Sequence, residues 1–461
     1  MRVSHDVSHS FDDPNLVSCG GLVPAVGLAQ RCGLHDLAAD RLTLRGEGSA
    51  NAPLKVGALV AGMVAGADSI DDMDLLRHGG MGRLFDGVRA PSTLGTFLRG
   101  FTFGHVRQLD AVAAGFLAGL ARQTPLLPGV DQVCFIDVDD TIRATHGYAK
   151  QGAGYGYSKV KGLNALLATV STPLAAPVIA ATRLRKGSVN SARGAARLVA
   201  DALATATRAG ASGLRILRAD SAYYTHDVVA AARRAGSRFS ITARMTRTVT
   251  AAIASVGEDA WTPIHYPHAI WDEDEQRWVS DAEVAEAPFT AFTGRRTADH
   301  VCARLIVRRV KRLNPKAKDQ LVEQGELFTT YRYHAVFTDS PLSMLEAEAC
   351  HRRHAIIEQV IADLKAGPLA HLPSGKFSAN AAWLVLAAMA FNLTRAAGCA
   401  AGGAHARATT ATIRSQLIGV AARIARSARR LVLHLPRDWP WQHAWTGLFN
   451  LACGPPGAAR P

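Results

Sequence analysis

Three carboxylates lie within four residues in Phe135-Ile136-Asp137-Val138-Asp139-Asp140-Thr141, directly after an apolar run. Strand alternation puts Asp137 and Asp139 on one face and Val138 and Asp140 on the other. Such groups repel one another at low dielectric unless water or a cation compensates them. Their hard oxygens suit Mg²⁺ or Mn²⁺. A solvated turn after a strand is the plainer alternative. A further carboxylate, Asp220, follows the short apolar strand Leu214-Arg215-Ile216-Leu217. Sites gather at strand ends in open α/β folds, although Asp is also a common helix N-cap.

A third position, Glu358, lies in a segment that reads as one amphipathic helix, with Ile357, Val360, Ile361 and Leu364 as its apolar stripe. Lys365 follows Glu358 by seven residues and His351 precedes it by seven, so all three project to nearly one side. His354 stands one turn before, with Arg352 and Arg353 adjacent. Such a face suits metal holding and phosphate gripping. A salt-bridged surface helix is the alternative.

Taken together, these segments resemble the DDE transposases of bacterial insertion sequences, and most closely the insertion-sequence "thirteen-eighty" family. The resemblance covers about residues 130–400. It implies a ribonuclease-H-like α/β core interrupted by a β-rich insertion before the final glutamate. The family's first aspartate precedes a small residue and Thr, which maps to Asp139 before Asp140-Thr141. Asp137 is an alternative or additional ligand. The second aspartate, in an Arg-x-Asp setting, maps to Asp220. The pattern Tyr-x2-Arg-x3-Glu-x6-Lys maps to Glu358 and Lys365, with His351 in place of Tyr and His354 in place of Arg. The interval of 138 positions from Asp220 to Glu358 leaves room for the insertion.

The implied activity is cleavage of element ends and strand transfer into target DNA. Asp139, Asp220 and Glu358 would hold two Mg²⁺ ions, with Mn²⁺ as a plausible substitute. His351, Arg353, His354 and Lys365 would contact phosphate. The partners implied are terminal inverted repeats and target DNA, with a homodimer holding two ends. The location implied is the bacterial cytoplasm, at the nucleoid. Some relatives flip a base onto an aromatic of the insertion, and Trp261, Trp271 and Trp278 lie in that region. Trp271 and Trp278 also read as packed aromatics flanking an exposed acidic turn.

Two rival readings stand beside this one. Asp137-Val138-Asp139-Asp140-Thr141 also fits the DxDx[TV] signature of haloacid-dehalogenase-type phosphatases, with Asp137 as nucleophile and Asp139 as acid/base. Against it, about 130 residues precede the motif and no suitable acidic pair follows. The second rival is a catalytically inactive DNA-binding relic.

The elements around these residues fall into five stretches. Residues 1–128 read as a helical DNA-binding domain. Within it Pro91 and Ser92 start a helix, and Ser92, Thr96 and Arg99 share one face that could enter a groove. Residues 129–248 alternate strands and helices as the first part of the core. Residues 249–340 form the β-rich insertion. Residues 341–400 complete the core with the glutamate helix. Residues 401–461 read as a linker and a basic helix, with Arg423, Arg426 and Arg430 on one stripe. Gly152-Ala153-Gly154-Tyr155-Gly156-Tyr157-Ser158, followed by Lys159 and Lys161, reads as a flexible loop that could approach a backbone.

Composition narrows the class. The 461 residues are 48% hydrophobic and 20% charged, enough for two or three cores. The formal net charge is +14, which favours a polyanionic partner. Residues 1–130 carry 11 basic and 12 acidic side chains, whereas residues 351–461 carry 13 and 3. The apolar runs Val56–Ala67 and Ala381–Phe391 read as core helices too short to span a bilayer, so no membrane role is expected. The seven scattered cysteines lack C-x-x-C spacing and suit a reducing compartment. No Walker-type loop supports a nucleotide cofactor.

Overall fold

The structure is a computed structural model. It describes the chain apart from residues 2, 4, 47, 147–148, 265–270, 273–276, 279–281, 312–330, 428–429 and 455–461. A short β1 (Leu16–Val17) precedes six helices: α1 (Leu22–Arg31), α2 (Leu34–Arg41), α3 (Ala52–Ala65), α4 (Met81–Leu84), α5 (Pro91–Arg99) and α6 (Phe103–Gln123). The strands and helices that follow are β2 (Val133–Ala144), β3 (Gly154–Tyr155), β4 (Lys161–Thr172), β5 (Ala175–Lys186), α7 (Ala195–Arg208), β6 (Leu214–Ala219), α8 (His226–Arg234), β7 (Arg238–Thr242) and α9 (Arg247–Ala254). Then come β8 (Thr262–Ile264), β9 (Trp271–Asp272), β10 (Arg277–Trp278), β11 (Ala282–Ala291), β12 (Val301–Lys311) and β13 (Tyr331–Thr338). The chain closes with α10 (Met344–Arg352), α11 (Ile356–Lys365), α12 (Phe377–Ala401), α13 (Thr410–Ile413), the hairpin β14 (Ala422–Ser427) and β15 (Arg430–His434), and α14 (Gln442–Cys453).

One mixed sheet of ten strands runs through the middle in the order β3-β4-β2-β6-β7-β13-β12-β11-β8, with β5 also on β4. β2, β6 and β7 are mutually parallel, and β4 runs antiparallel to β2. The expected β-rich insertion adds to this sheet, because β13 pairs antiparallel with β7 from Ser240↔Thr338 to Thr242↔Val336. β2 continues through its carboxylates instead of stopping at them. β4 pairs it from Phe135 to Ala144, whereas β6 accompanies it only from Val133 to Val138. Asp139 therefore stands where the parallel neighbour ends, along an edge no longer paired with β6.

The α12 helix organises the helical half. It is 25 residues long, longer than its apolar run suggests, and buried nearly throughout. It is long and apolar enough to cross a membrane by length and composition, but 94% of its most apolar window is buried inside the protein. A core helix explains such a pattern. Asn392 on α12 clasps β5: the Ile179 amide donates to its Oδ1 at 2.8 Å and its Nδ2 donates to the Ile179 carbonyl at 2.8 Å. Helices α1–α6, α12 and the sheet contribute to one hydrophobic core.

Three expectations about the C-terminal third need correction. The segment 343–366 is two helices, α10 and α11, separated by a 3-10 turn at Arg353–Ala355. The stretch after Ala401 is packed structure, with His405 and Thr410 buried. The basic helix over 413–433 is a β hairpin, in which Arg423 pairs with His434 and Arg426 with Leu431. Arg423 and Arg426 therefore point to opposite faces and make no common stripe. The cause is tertiary: β1 supplies an edge, pairing Leu16 with Arg423 and Val17 with Ala422, and Ile424 is buried. The backbones come so close that a Cβ on Gly21 would lie 1.7 Å from the Leu417 carbonyl oxygen, so only glycine fits there.

The Asn392 clasp should dominate the docking of α12 on β5. Asn392→Leu leaves a buried donor and acceptor of Ile179 without partners, and should lower unfolding free energy by about 2–4 kcal/mol. A urea midpoint unchanged from wild type would show that the clasp is not what holds this helix.

Candidate active site

The register between β2 and β6 sets out the site. Asp137 lies level with Arg218, and Val138 with Ala219. One residue further, Asp139 and Asp220 leave the paired ladder together. The sequence thus places two carboxylates side by side wherever these two strands pair in parallel.

Two of the three β2 carboxylates have a cation of their own. Asp137, fully buried, receives a bidentate pair of hydrogen bonds from Arg218, Nε to Oδ1 at 2.6 Å and Nη2 to Oδ2 at 2.7 Å. Arg218 also donates to the Cys350 carbonyl at 2.8 Å, which ties α10 to the sheet. Burial opposes the guanidinium charge, but Asp137 outweighs it and holds Arg218 above its ordinary range. Asp140 faces the other way and is paired with Arg185, which also donates to the Asn164 side chain and to the carbonyls of Ser191 and Arg193.

Asp139 has no ion-pair partner among the described residues; its hydrogen bond comes from the Asp140 amide at 2.7 Å. Burial pushes its carboxyl up to about 7; the Asp140 amide works against this, and repulsion from Asp220, Asp140 and Glu358 adds to it. Glu358 is exposed on α11, whose stripe Ile357, Val360, Ile361 and Leu364 is buried as its spacing implies. The three acids are therefore electrostatically coupled. Among the described residues, however, no three His, Cys, Asp or Glu side chains lie close enough together to hold one ion.

The basic residues of the helix pair divide into two kinds. His351 is buried, with Nδ1 3.0 Å from Ser240 Oγ and Nε2 2.9 Å from Thr242 Oγ1. Burial, then His354 and Arg218, push it down to about 3, so the ring is neutral, and both of its nitrogens are engaged in tying α10 to β7. His354 is in the site: its Nε2 lies 2.8 Å from Asp220 Oδ1 and its Nδ1 2.6 Å from the His351 carbonyl. Burial disfavours its charge, but Asp220 and the His351 carbonyl outweigh that and raise it above the usual histidine range. Asp220 is correspondingly lowered, first by His354. Arg353 is exposed at the turn. Lys365 is half-buried and lowered by burial and by Arg143, with Asp139 acting in the opposite direction.

Arg99 is exposed at the end of α5, its Nη2 donating to Thr96 Oγ1 at 3.0 Å. Arg423 is paired with Asp13 at 3.1 Å, far along the chain from the acids. Arg426 and Arg430 are exposed on the hairpin. Trp261 is buried, with the Arg309 guanidinium 4.2 Å from its ring centre, and so is not available to receive a base. The side chains of Trp271 and Trp278 lie outside the described residues.

Sequence reasoning missed Arg218, Arg185, Tyr223 and Arg143. Arg218 had a signal: it precedes Asp220 by two residues as Asp137 precedes Asp139, and parallel pairing aligns them. Arg185 had none, because its pairing depends on the β4–β5 hairpin register. Tyr223 is buried, its hydroxyl lacks a hydrogen-bond partner among the described residues, and it is coupled to Asp140, Asp139 and Asp220. The phosphatase alternative does not survive this geometry. A nucleophile at Asp137 would have to attack from inside a buried bidentate ion pair.

Two stability measurements follow. Arg218→Met strands a buried carboxylate and should cost about 3–5 kcal/mol, and adding Asp137→Leu should recover most of that loss. If the double variant is no better than the single one, Asp137 is not held by this pair. For Asp139 the sign is the reverse of a salt-bridged acid. Its folded value, about 7, lies above the unfolded one, so its contribution to stability is present at low pH and declines as pH rises towards neutrality. In metal-free buffer, Asp139→Asn should therefore raise Tm by about 1–3 °C at pH 8 and by almost nothing at pH 4. A gain independent of pH would contradict the coupling.

No curated protein matched the chain. Residues 2–452 match the family described as transposase DDE domain group 1. That span takes in the N-terminal helices, the mixed sheet and the final helix, and the chain belongs to this family of DDE transposases.

Proposed function

We propose that this protein is an insertion-sequence transposase of the "thirteen-eighty" type, which cuts DNA at element ends and joins the freed 3′-hydroxyl to target DNA. The observation that carries the reading is the selective neutralisation along β2. Asp137 and Asp140 are matched to Arg218 and Arg185, while Asp139 is left facing Asp220 and Glu358. A half-buried carboxylate repelled by its acidic neighbours is held ready for a cation. The strand order β5-β4-β2-β6-β7, with only β4 reversed, supports a ribonuclease-H-like core.

Asp139, Asp220 and Glu358 are the residues that would hold divalent ions, and their hard oxygen donors suit Mg²⁺ or Mn²⁺. Bound there, a pair of such ions would supply positive charge to the entering and leaving oxygens of an in-line displacement. The chain's own groups do the rest. His354 fixes the orientation of Asp220. Arg353 and Lys365 hold the phosphates on either side of the bond that breaks, and Lys365 keeps a cation beside Asp139. The helical residues 1–128, with Arg99 exposed, provide the first surface for end recognition. A homodimer would hold both ends at the nucleoid of the cytoplasm.

The test is strand cleavage of duplexes carrying the element's own ends. Asp139→Ala, Asp220→Ala and Glu358→Ala should each reduce Mg²⁺-dependent nicking by at least about 10²-fold while leaving DNA binding in place. Chelation should abolish nicking and Mn²⁺ should restore it. Cleavage that survives Asp139→Ala would remove the assignment. Binding without nicking by the wild-type chain would instead identify a relic.

A further inference from the structure

The glycine-rich stretch between β2 and β4 is not the loose connection its sequence suggests. Close backbone contacts at three glycines lock it against the sheet. A Cβ at Gly156 would lie 2.5 Å from the Gly187 carbonyl oxygen, one at Gly187 2.0 Å from that of Gly162, and one at Gly162 2.3 Å from that of Arg143. The Gly187 amide donates to Gly152 at 3.0 Å, and Gly154 and Tyr155 pair with Gly162 and Lys161. The other flank is tied to the start of α12, where the Phe377 amide donates to Gln151 Oε1 at 3.1 Å and the Gln151 amide to the Gly375 carbonyl at 2.9 Å.

On this rigid base the side chains point away from the protein. Tyr157 is 106% exposed, Tyr155 67% and Val160 41%. Lys159 adopts φ +55°, a region that favours glycine, and its amide donates to Gly156 at 3.0 Å to close the turn. Two tyrosines held in water with nothing to pack on, next to a lysine, match what a nucleic-acid strand offers: π-faces and phosphates. The platform belongs to the same sheet as the acid site. Its strand β3 lies beyond β4 from β2, level with Ala144, which stands five residues and so about 17 Å along β2 from Asp139. Arg143 and Lys365 lie between, and Lys376 and Arg99 flank the same edge, with Lys376 Nζ 3.4 Å from the Arg99 carbonyl.

We propose that Tyr155, Tyr157 and Lys159 form a DNA-contacting platform that holds the substrate at least about five nucleotides from the phosphodiester being cut. The tyrosine rings stack on bases and Lys159 pairs with a backbone phosphate. This rests on the transposase reading, because the bond being cut is placed at Asp139.

The experiment uses the full chain and two labelled probes, a 40-base-pair duplex carrying an element end and its separated single strand, with affinity measured between 50 and 200 mM salt. Tyr157→Ala should weaken binding about 5- to 50-fold with an unchanged salt slope. Tyr157→Phe or Tyr157→Trp should restore it. Lys159→Ala should reduce the salt slope by about one phosphate. None of these variants should shift Tm, because the side chains are not packed. Wild-type affinity in both Tyr157→Ala and Tyr155→Ala/Tyr157→Ala, with cleavage still lost in Asp139→Ala, would overturn the platform and leave the transposase reading standing. A wild-type chain that binds neither probe would overturn both.

Discussion

Everything around the central sheet depends on how the charge of β2 is balanced. A strand carrying three carboxylates can enter the middle of a sheet only if positive charge enters with it, since isolated buried charges cost several kcal/mol each. The fold meets this with two guanidiniums from different neighbours. Arg218 comes across the parallel ladder on one face, and Arg185 across the hairpin on the other. Asp139 receives no such partner among the described residues and is pushed up to about 7, chiefly by burial. The residual imbalance is confined to one position, and that position is flanked by Asp220 and Glu358.

The unequal lengths of the strands put this imbalance within reach of a substrate. β6 ends at Ala219, so Asp139 and Asp220 emerge together at an open edge. Across that edge stands α11, brought there by its buried stripe. The break between α10 and α11 divides the basic residues by role. His351 turns inward and holds the sheet through Ser240 and Thr242, while His354 turns to Asp220.

Behind the site, the two ends of the chain are joined. β1 pairs with β14, and the backbone of Gly21 meets that of Leu417 too closely for any side chain. The long α12 runs between the N-terminal helices and β5. The arginines that make the C-terminal third so basic are partly spent on this construction: Arg395 is buried and donates to the carbonyls of Ala406 and Ala408. Net charge by itself was therefore a poor guide to where a polyanion would lie.

The sequence by itself determined the local elements around the acids. The apolar stripe of α11, the alternation that puts Asp137 and Asp139 on one face of β2, and the place of Asp220 just past β6 follow from periodicities set by backbone geometry. Only the tertiary structure decided which carboxylates are neutralised, that His351 is buried, and that residues 413–433 pair as a hairpin instead of winding into a helix. Those outcomes depend on partners remote in sequence, Arg185 for Asp140, Ser240 for His351 and Leu16 for Arg423. Ion pairing and strand pairing act between such partners, and neither leaves a trace in the local spacing of residues.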